Sequence, residues 1–434
     1  MEYFEHKIAS LGTPEFDSPI KIATFIGDDD SVIYETDYKT VTRILSQNKS
    51  LPAFQKAGPR KKIFFNPHNV KAGIVTCGGL CPGLNDVIRS IVMALYYHYG
   101  TKQITGYRFG YNGLDTKPKI PPNILTPEVV KNIHNLGGSI LGSSRGSPDV
   151  PVIVDTLERD KVNFLFCIGG DGTLKGAHEI ALECLKRKNN IGIIGIPKTI
   201  DNDIAYISRT FGFLTAVEEG RRSITAIHNE VSSLYYGIGV VKLMGRDSGY
   251  IAANVCLADN DANYCLIPEV DFDLEGQKGL CACIKKRFSH AHHAVIVAAE
   301  GAGQKYFKGK DKVKDASGNI LHNDIGKFIV NYIKEYFRKE GSSVTMKYID
   351  PSYMVRSSAA NAEDSVYCLI LGQHAIHAAM AGKTDMVVSY WNNSFIHVPI
   401  KMATSQRKKI DPRGVFWESV LFATGQPPLK NAEP

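Results

Sequence analysis

The most constraining feature of this sequence is a series of short, continuous apolar runs. They occupy residues 71–77, 163–169, 191–197, 237–244, 264–270 and 294–300. Unbroken apolar runs of this length are typical of strands covered on both faces, as in a parallel sheet flanked by helices. After the first run, apolar residues recur at helical spacing behind Asn85, which we expect to cap a helix. The sequence therefore predicts an α/β fold with doubly wound, parallel-rich sheets.

The remaining segments fit the same class. Helical patterns cover residues 323–340 and 361–381, and Asn392 and Asn393 predict a hairpin turn. Residues 1–70 are polar and punctuated by proline, so we expect an N-terminal extension with little core of its own.

Composition excludes several classes of protein. The 434 residues include 51 Lys plus Arg and 44 Asp plus Glu, a net charge of +7 that is mild for this length. Basic runs at 60–62, 285–287 and 407–409 contain no aromatic residues, so we interpret them as solvated faces and expect no nucleic-acid partner. No apolar run approaches the ~18 residues of a membrane span, and no secretory signal is evident. Nine scattered cysteines without a Cys-x-x-Cys favour reduced thiols, so we expect a cytoplasmic protein without a membrane partner.

Unusual residues collect directly after the predicted strands, where open α/β sheets bind their ligands. The segments are GGLCPG (78–83), GGDGT (169–173), PKTIDND (197–203) and MGRDSG (244–249). The glycines allow backbone N–H groups to approach an anion, although a plain tight turn explains the first segment equally well. Asp171 is a candidate Mg²⁺ ligand on bound phosphates, the alternative being a capped turn.

Carboxylates and arginines complete this set. If residues 201–203 are extended, Asp201 and Asp203 face the same side, and one would bind Mg²⁺ while the other accepts a proton. The alternative is an Asx-rich loop that caps a helix. Arg246, Arg145 and Arg356 are loop arginines suited to phosphoryl groups. Glycine turns, carboxylates and arginines without a Cys or His nucleophile are the residues that phosphoryl transfer requires.

Taken in order, GGLCPG, GGDGT, PKTIDND, MGRDSG and YMVR make the region from about residue 72 to 400 resemble the 6-phosphofructokinase family. GGDGT alone also resembles the signature of NAD kinases and lipid kinases. The long extension and PKTIDND are similar to the eukaryotic, trypanosomatid and plant-like branch. The resemblance implies a glycolytic kinase that transfers a phosphoryl group to the 1-hydroxyl of fructose 6-phosphate.

The same resemblance implies residue roles. Asp201 matches the general base, with Arg246 and Thr199 as the other catalytic residues. The implied nucleotide site comprises Gly79, Arg145, Gly146, Gly170, Asp171, Gly172, Thr173 and Lys198. The implied sugar-phosphate site comprises Thr199, Ile200, Asp201, Met244, Gly245, Arg246, Glu300, Tyr353, Met354, Val355 and Arg356. Asp171 is the implied Mg²⁺ ligand, supported by Asp203.

Two residues bear on whether the phosphoryl donor is ATP or pyrophosphate. Members of the family that use pyrophosphate typically carry an aspartate after GGD and a lysine before TIDND, whereas this chain has Gly172 and Lys198. A missing side chain at Gly172 leaves room for the α-phosphate of ATP, so we predict ATP. A pyrophosphate-dependent enzyme and a catalytically silent regulatory subunit are the alternatives.

The resemblance also implies an arrangement of domains and copies. We expect the extension at 1–70, a nucleotide-binding lobe at 71–212 plus about 362–400, and a sugar-phosphate lobe at 213–361 plus 401–434. The expected partners are ATP, fructose 6-phosphate and further copies of the chain, as a tetramer or dimer. Gly237 departs from the pattern, because short bacterial members place a cross-subunit arginine there.

Overall fold

The computed structural model of the chain describes residues 7–21, 24–117, 120–307 and 322–431. These residues form two units. The first unit comprises the described residues up to Thr199, together with Ile204–Gly212 and Ser358–Gln406. The second unit comprises Ile200–Asp203, Phe213–Ser357 and the described residues from Arg407 onward. Residues 200–203 thus group with the second unit, whereas the sequence analysis assigned them to the lobe that ends at residue 212.

In chain order, the strands of the described residues are β1 (Ala9–Ser10), β2 (Phe16–Asp17), β3 (Ser31–Ile33), β4 (Ala53–Gln55), β5 (Lys62–Ile63), β6 (Lys71–Thr76), β7 (Gln103–Gly106), β8 (Asn123–Ile124), β9 (Phe164–Gly169), β10 (Gly192–Pro197), β11 (Gly237–Leu243), β12 (Tyr264–Leu266), β13 (His293–Ala299), β14 (Thr345–Ile349), β15 (Lys383–Thr384), β16 (Met386–Trp391) and β17 (Ser394–Pro399). The α-helices are α1 (Tyr38–Ser46), α2 (Leu84–Ala94), α3 (Pro127–Val130), α4 (Val150–Arg159), α5 (Asp171–Lys186), α6 (Phe213–Ser232), α7 (Tyr250–Ala258), α8 (Leu280–Arg287), α9 (Ile325–Lys339), α10 (Met354–Ser357), α11 (Ala362–Met380), α12 (Ile400–Ala403) and α13 (Val415–Thr424). Short 3₁₀ segments lie at Pro67–Asn69, Gly110–Leu114, Ile133–Asn135 and Gln304–Phe307, and a π-helical turn at Leu95–Tyr99.

The first unit is built on a seven-stranded sheet, counted over the described residues, in the order β17-β16-β10-β9-β6-β7-β8. The inner pairs are parallel, and the edge strands β17 and β8 are antiparallel to their neighbours. In the sheet, β6 lies between β7 on one side and β9 on the other. The carboxyl ends of β6 and β9 therefore form a topological switch point, the place where such sheets bind ligands.

Helices cover both faces of this sheet, as the unbroken apolar runs predict. Alternate strand residues such as Val75, Leu165 and Ile193 share a buried core with α4 and α5. Ile74 and Phe166 point to the opposite face and are also fully buried. On the remaining helices, α11 packs against both α2 and β10.

The second unit has a four-stranded, entirely parallel sheet in the order β12-β13-β11-β14 among its described residues. One face packs against α8 and α9 in a buried core that includes Ile296 and Ile333. The helices α6 and α7 contact β13 and each other. The predicted α/β class with parallel-rich sheets is confirmed in both units.

Residues of the predicted N-terminal extension belong to the first unit. β1 pairs with β15, and Trp391 donates its indole N–H to the carbonyl of Tyr34 at 3.0 Å. Phe54 is fully buried in the core of the large sheet. Arg60, which we interpreted as part of a solvated basic run, is 6% exposed and pairs with Asp28 at 2.9 Å. The interpretation as a solvated face is therefore wrong for Arg60. The sequence could not show this, because the partner of Arg60 is brought close only by the tertiary fold.

Local predictions are confirmed at the hairpin and corrected at one helix start. Asn392 and Asn393 have φ angles of 44° and 60°, as a tight two-residue turn between β16 and β17 requires. The helix α2 is capped by Gly83 rather than by Asn85. The Asn85 side chain instead donates to the carbonyl of Leu136 at 2.9 Å. The run at 264–270 forms a strand only as far as Leu266.

No described helix combines the length and the apolar character needed to cross a membrane.

Candidate active site

Three of the predicted segments lie at one edge of the large sheet. Thr76 on β6 is in register with Ile168 on β9, and Gly169 is in register with Pro197 on β10. The three strands therefore end together, and the segments that follow them are neighbours. This is the carboxyl edge of the first unit, where an anion can meet backbone N–H groups.

The turn after β6 is open to a ligand. Gly78 has a φ of +83°, a conformation that favours glycine, and its N–H donates to the carbonyl of Ser144 at 2.9 Å. Ser143 Oγ donates back to the Gly78 carbonyl at 2.6 Å. These bonds attach the loop that carries the exposed Arg145 and Gly146 to this turn. A Cβ on Gly79 would meet no atom within 4 Å, so the space above it is vacant.

The turn after β9 is the start of a long helix. Gly170 caps α5 without a side-chain hydrogen bond, and Asp171 is the first helical residue. The first N–H groups of the helix and its dipole favour an anion here. A Cβ on Gly172 would meet no atom within 4 Å, whereas Thr173 is buried. The Asp171 carboxylate pairs with Lys175 one turn later, at 3.0 Å.

Lys198 connects the three strand ends. Its side chain is 5% exposed, and Nζ donates to the carbonyl of Gly79 at 2.5 Å. Its backbone N–H donates to Gly169 at 2.9 Å. The carbonyl of the next residue, Thr199, accepts from Thr210 Oγ1 at 2.6 Å. A buried ammonium therefore lies beside the glycine turn, where it adds positive charge.

In the second unit, the carboxyl edge of the smaller sheet presents Met244, Gly245, Arg246 and Glu300. Leu243 is in register with Ala299, so these residues follow neighbouring strands. The Gly301 N–H donates to the carbonyl of Gly245 at 3.0 Å, and a Cβ on Gly301 would lie 2.0 Å from the Arg246 carbonyl. This loop approach requires glycine, and it holds Arg246 and Glu300 at the same edge.

Asp201 and Asp203 do not lie in an extended segment, so the expectation of an extended backbone at these residues is wrong. The intervening Asn202 has a φ of 52°, in the left-handed region that asparagine tolerates. The carbonyl of Asp201 accepts from Ser248 Oγ at 3.1 Å. The negative charge of Asp203 still acts on Asp201, and both residues belong to the second unit.

The electrostatic environment of Asp201 favours the protonated form of its carboxyl group. Burial, followed by the negative charges of Asp203 and Glu300, raises the pKa of Asp201 well above its usual range. The cations Arg356 and Arg407 act against this rise. Burial also raises the pKa of Glu300, and Arg356, Lys242 and Arg246 oppose that shift.

The sequence analysis missed a set of contacts on Asp203. Its side chain is 3% exposed and accepts from Arg407 Nη1 at 2.5 Å, while its carbonyl accepts from the Lys408 N–H at 2.8 Å. Burial lowers the pKa of Lys408 to about 8. The interpretation of 407–409 as a solvated face is therefore wrong for Arg407 and Lys408. About two hundred positions separate these residues from Asp203, and no sequence pattern connects them.

The remaining predicted sugar-site residues lie in the second unit with different exposures. Tyr353 and Met354 are exposed, at 85% and 58%, and Arg356 is partly exposed on α10. Val355 and Ile200 are buried. These placements leave the roles of the predicted residues as proposals.

A metal would find few protein ligands. Within the described ranges, no group of three or more His, Cys, Asp or Glu side chains is arranged to hold a metal ion. Mg²⁺ commonly binds through one or two carboxylates plus substrate phosphates, so Asp171 at the mouth of the glycine turns fits this ion. Asp203 is engaged by Arg407. At Gly237, a Cβ would lie 2.3 Å from the Val231 carbonyl, so the structure leaves no room for a side chain there.

Known proteins resemble this chain along most of its length. The family model described as "Phosphofructokinase" matches residues 71–379. The chain is 54% identical to an ATP-dependent 6-phosphofructokinase of Borreliella burgdorferi, over 86% of this chain and 85% of that protein. It is 44% identical to an ATP-dependent 6-phosphofructokinase of Amycolatopsis methanolica, over 97% of this chain and 95% of that protein.

The fold also matches solved structures. The crystal structure of a pyrophosphate-dependent phosphofructokinase from Marinobacter aquaeolei aligns with a TM-score of 0.66 at 18% identity, over 82% of this chain and 91% of that one. At this identity the match concerns the fold alone. The family model and the identity to the relatives, together with the glycine turns and the aspartate pair, show that the chain belongs to the phosphofructokinase family.

Proposed function

We propose that this protein is an ATP-dependent 6-phosphofructokinase. It transfers the terminal phosphoryl group of ATP to the 1-hydroxyl of fructose 6-phosphate and releases fructose 1,6-bisphosphate and ADP, a reaction of glycolysis. The relatives at 54% and 44% identity bear the name of this activity. The residues described above supply what phosphoryl transfer needs, which is positioning and charge stabilisation.

The first unit supplies the donor site. The N–H groups at the start of α5 and the turn at Gly79 bind the phosphates, and Lys198 neutralises their charge. Arg145 and Gly146 contact the nucleotide from the adjoining loop. The open space at Gly172 supports ATP over pyrophosphate, because an aspartate there would repel the α-phosphate.

Mg²⁺ is the proposed metal, and Asp171 is the residue that would hold it. Its carboxylate is a hard oxygen ligand beside the phosphate-binding N–H groups of α5, and its present partner Lys175 is a largely exposed lysine that can move away. When bound, the ion would neutralise charge on the transferring phosphoryl group. Asp203, expected as a second ligand, already pairs with Arg407, so our proposal for the metal rests on Asp171.

The second unit supplies the acceptor site. Asp201 accepts the proton of the sugar 1-hydroxyl as that oxygen bonds to the γ-phosphorus and the bond from this phosphorus to ADP breaks. Arg246 stabilises charge on the transferring group, and Glu300 binds sugar hydroxyls. Arg356, with Tyr353, binds the 6-phosphate. Ile200, Met244, Gly245, Met354 and Val355 complete the proposed sugar-phosphate contacts of this unit. Thr199, the last residue before it, belongs to the first unit and remains a proposed contact of the same substrate.

The observation that carries this proposal is the environment of Asp201, a shielded carboxylate surrounded in its own unit by Arg356, Glu300 and Asp203. The test is to incubate purified protein with fructose 6-phosphate, ATP and Mg²⁺ and to quantify both products. We expect one fructose 1,6-bisphosphate for each ADP. ADP formation without the bisphosphate would overturn the proposal.

We further propose a homo-oligomer, as dimer or tetramer, and a cytoplasmic location. Both are supported by the resemblance described from the sequence. Sedimentation velocity of the purified chain tests the first, and a single monomeric species would contradict it. Fractionation of the native cells tests the second.

A further inference from the structure

The C-terminal segment that begins at Arg407 enters the second unit as a fixed element. Tyr250 OH donates to the carbonyl of Lys409 at 3.0 Å, and Lys408 Nζ lies 5.2 Å from the centre of the Tyr250 ring. The Ile410 N–H donates to Glu269 Oε1 at 3.1 Å. The same Glu269 carboxylate accepts the N–H of Gly249 at the start of α7 at 3.0 Å. These contacts fix the backbone that presents Arg407.

Arg407 is directed at the aspartate pair. Its Nη1 lies 2.5 Å from Asp203 Oδ2, and the N–H of its neighbour Lys408 bonds to the Asp203 carbonyl. The Asp203 side chain is 3% exposed and that of Arg407 is 33% exposed. Because the backbone of Arg407 is held in place and the Asp203 side chain is buried, their contact is an ordered ion pair rather than a chance contact on the surface.

The charged residues around Asp201 indicate what the ion pair between Arg407 and Asp203 does. Asp203 and Glu300 add negative charge near Asp201, and Arg356 and Arg407 are cations that act on Asp201. On the proposed function, Arg356 binds the 6-phosphate of the sugar, so its charge is shared once substrate is present. Arg407 then remains the cation that pairs with the Asp203 carboxylate at 2.5 Å, and Lys408 adds a second positive charge near Asp203.

We propose that Arg407 is a positioning residue of the phosphoryl transfer, acting through Asp203 to keep Asp201 oriented toward the sugar 1-hydroxyl. This inference rests on the proposed function. It predicts that loss of Arg407 affects turnover rather than ATP binding, because Arg407 contacts the acceptor-side aspartate and belongs to the second unit.

The test compares Arg407→Ala, Arg407→Lys, Asp203→Asn and the double variant with the wild type. We expect Arg407→Ala to lower kcat about 10- to 100-fold with KM for ATP within about twofold, and Arg407→Lys to lose less. Because both residues act through one ion pair, the double variant should be no worse than the poorer single variant by more than about twofold. Arg413→Ala, which removes an exposed arginine of the same segment, is the matched control and should retain full kcat.

Two further measurements separate positioning from folding. Melting temperatures identify any variant whose loss reflects instability. Added guanidinium at roughly 50 mM should restore kcat of Arg407→Ala several-fold without helping Arg413→Ala, since it replaces the missing cation. The inference is overturned if kcat of folded Arg407→Ala stays within twofold of the wild type, if the two losses multiply in the double variant, or if guanidinium restores nothing. An inactive wild type would instead refute the proposed function.

Discussion

At the scale of single residues, Asp201 combines shielding from solvent with two like charges nearby. Both effects favour its protonated form, whereas a general base must be ionised when the sugar arrives. Arg356 and Arg407 oppose this rise and favour the ionised form. Local charge balance, rather than the aspartate alone, therefore decides whether the site works.

Replacing Asp201 by Asn removes the proton acceptor with little change in shape. We expect kcat to fall by roughly 10²- to 10⁴-fold, the usual contribution of a positioned base. The melting temperature should change little, since a neutral side chain in this cluster relieves repulsion. Steady-state kinetics with ATP and thermal denaturation check both parts, and near-normal turnover would remove Asp201 from this role.

The raised pKa of Asp201 also sets the sign of the pH dependence. As pH falls through the pKa, the carboxylate takes up a proton and can no longer act as base, so kcat/KM for fructose 6-phosphate should fall on the acid side. Because the pKa is raised, this fall should begin well above pH ~4, where an ordinary aspartate titrates. A profile that stays flat from pH 8 to about 5 would contradict the assignment.

Gly172 tests the choice of donor with little risk to the fold. A Cβ there meets no atom within 4 Å, and an acidic residue suits the first turn of α5. We expect Gly172→Asp to keep its melting temperature and to raise KM for ATP at least about tenfold through repulsion of the phosphates. Gly172→Asn, similar in size and uncharged, is the control and should lose much less. Equal KM values for the Asp and Asn variants would show that charge is not the cause.

Residue types could be predicted here better than residue partners. GGDGT, TIDND and MGRDSG identified Asp171, Asp201 and Arg246 as candidates because each follows an apolar run. The pairing of Arg407 with Asp203 could not be predicted, because it depends on the path of the chain after residue 406.

At the scale of elements, apolar runs were sufficient to predict five of the inner strands of the two sheets. β6, β9, β10, β11 and β13 all lie within their predicted ranges or one residue outside them. Boundaries that depend on capping or backbone turns were less accurate. Gly83 rather than Asn85 caps α2, and the backbone turns at Asn202, which has a positive φ, in a segment that we expected to be extended. Both depend on local backbone angles that composition does not specify.

Buried histidines on α11 and β17 make the first unit sensitive to acid. Burial lowers the pKa of His374 to about 4 and that of His377 to about 3, and it also lowers the pKa of His397. Between pH ~6.5 and pH ~4, the unfolded chain therefore binds more protons at these histidines than the folded chain does. The free energy of unfolding should therefore decrease from pH ~6.5 downward, by up to about 1.4 kcal/mol per pH unit for each histidine.

Urea unfolding at several pH values checks this slope. His377→Gln removes one titrating group and should flatten the decline between pH ~6.5 and 5, even if it lowers stability at pH 8 by disturbing the bond to Tyr99. Substitution of the exposed His290 by Gln is the control. An unchanged slope in His377→Gln would contradict the explanation.

At the scale of the whole molecule, the sequence predicts the α/β class and the family, but two groupings of residues in the structure were not expected. Phe54 and Arg60 of the expected extension are buried in the first unit, and residues 200–203 group with the second. The polar composition of residues 1–70 gave no sign of this burial, because a few buried side chains are enough to anchor such a segment. The grouping of residues 200–203 with the second unit depends on long-range contacts that leave no local pattern.

On the proposed function, this chain moves a phosphoryl group from ATP, and not from pyrophosphate, to fructose 6-phosphate. The most direct test is phosphorus NMR of one reaction that contains Mg²⁺, the sugar phosphate and equal amounts of ATP and pyrophosphate. We predict that ADP and fructose 1,6-bisphosphate appear together while the pyrophosphate signal stays constant. Loss of pyrophosphate with formation of inorganic phosphate and the bisphosphate, while ATP persists, would contradict the claim.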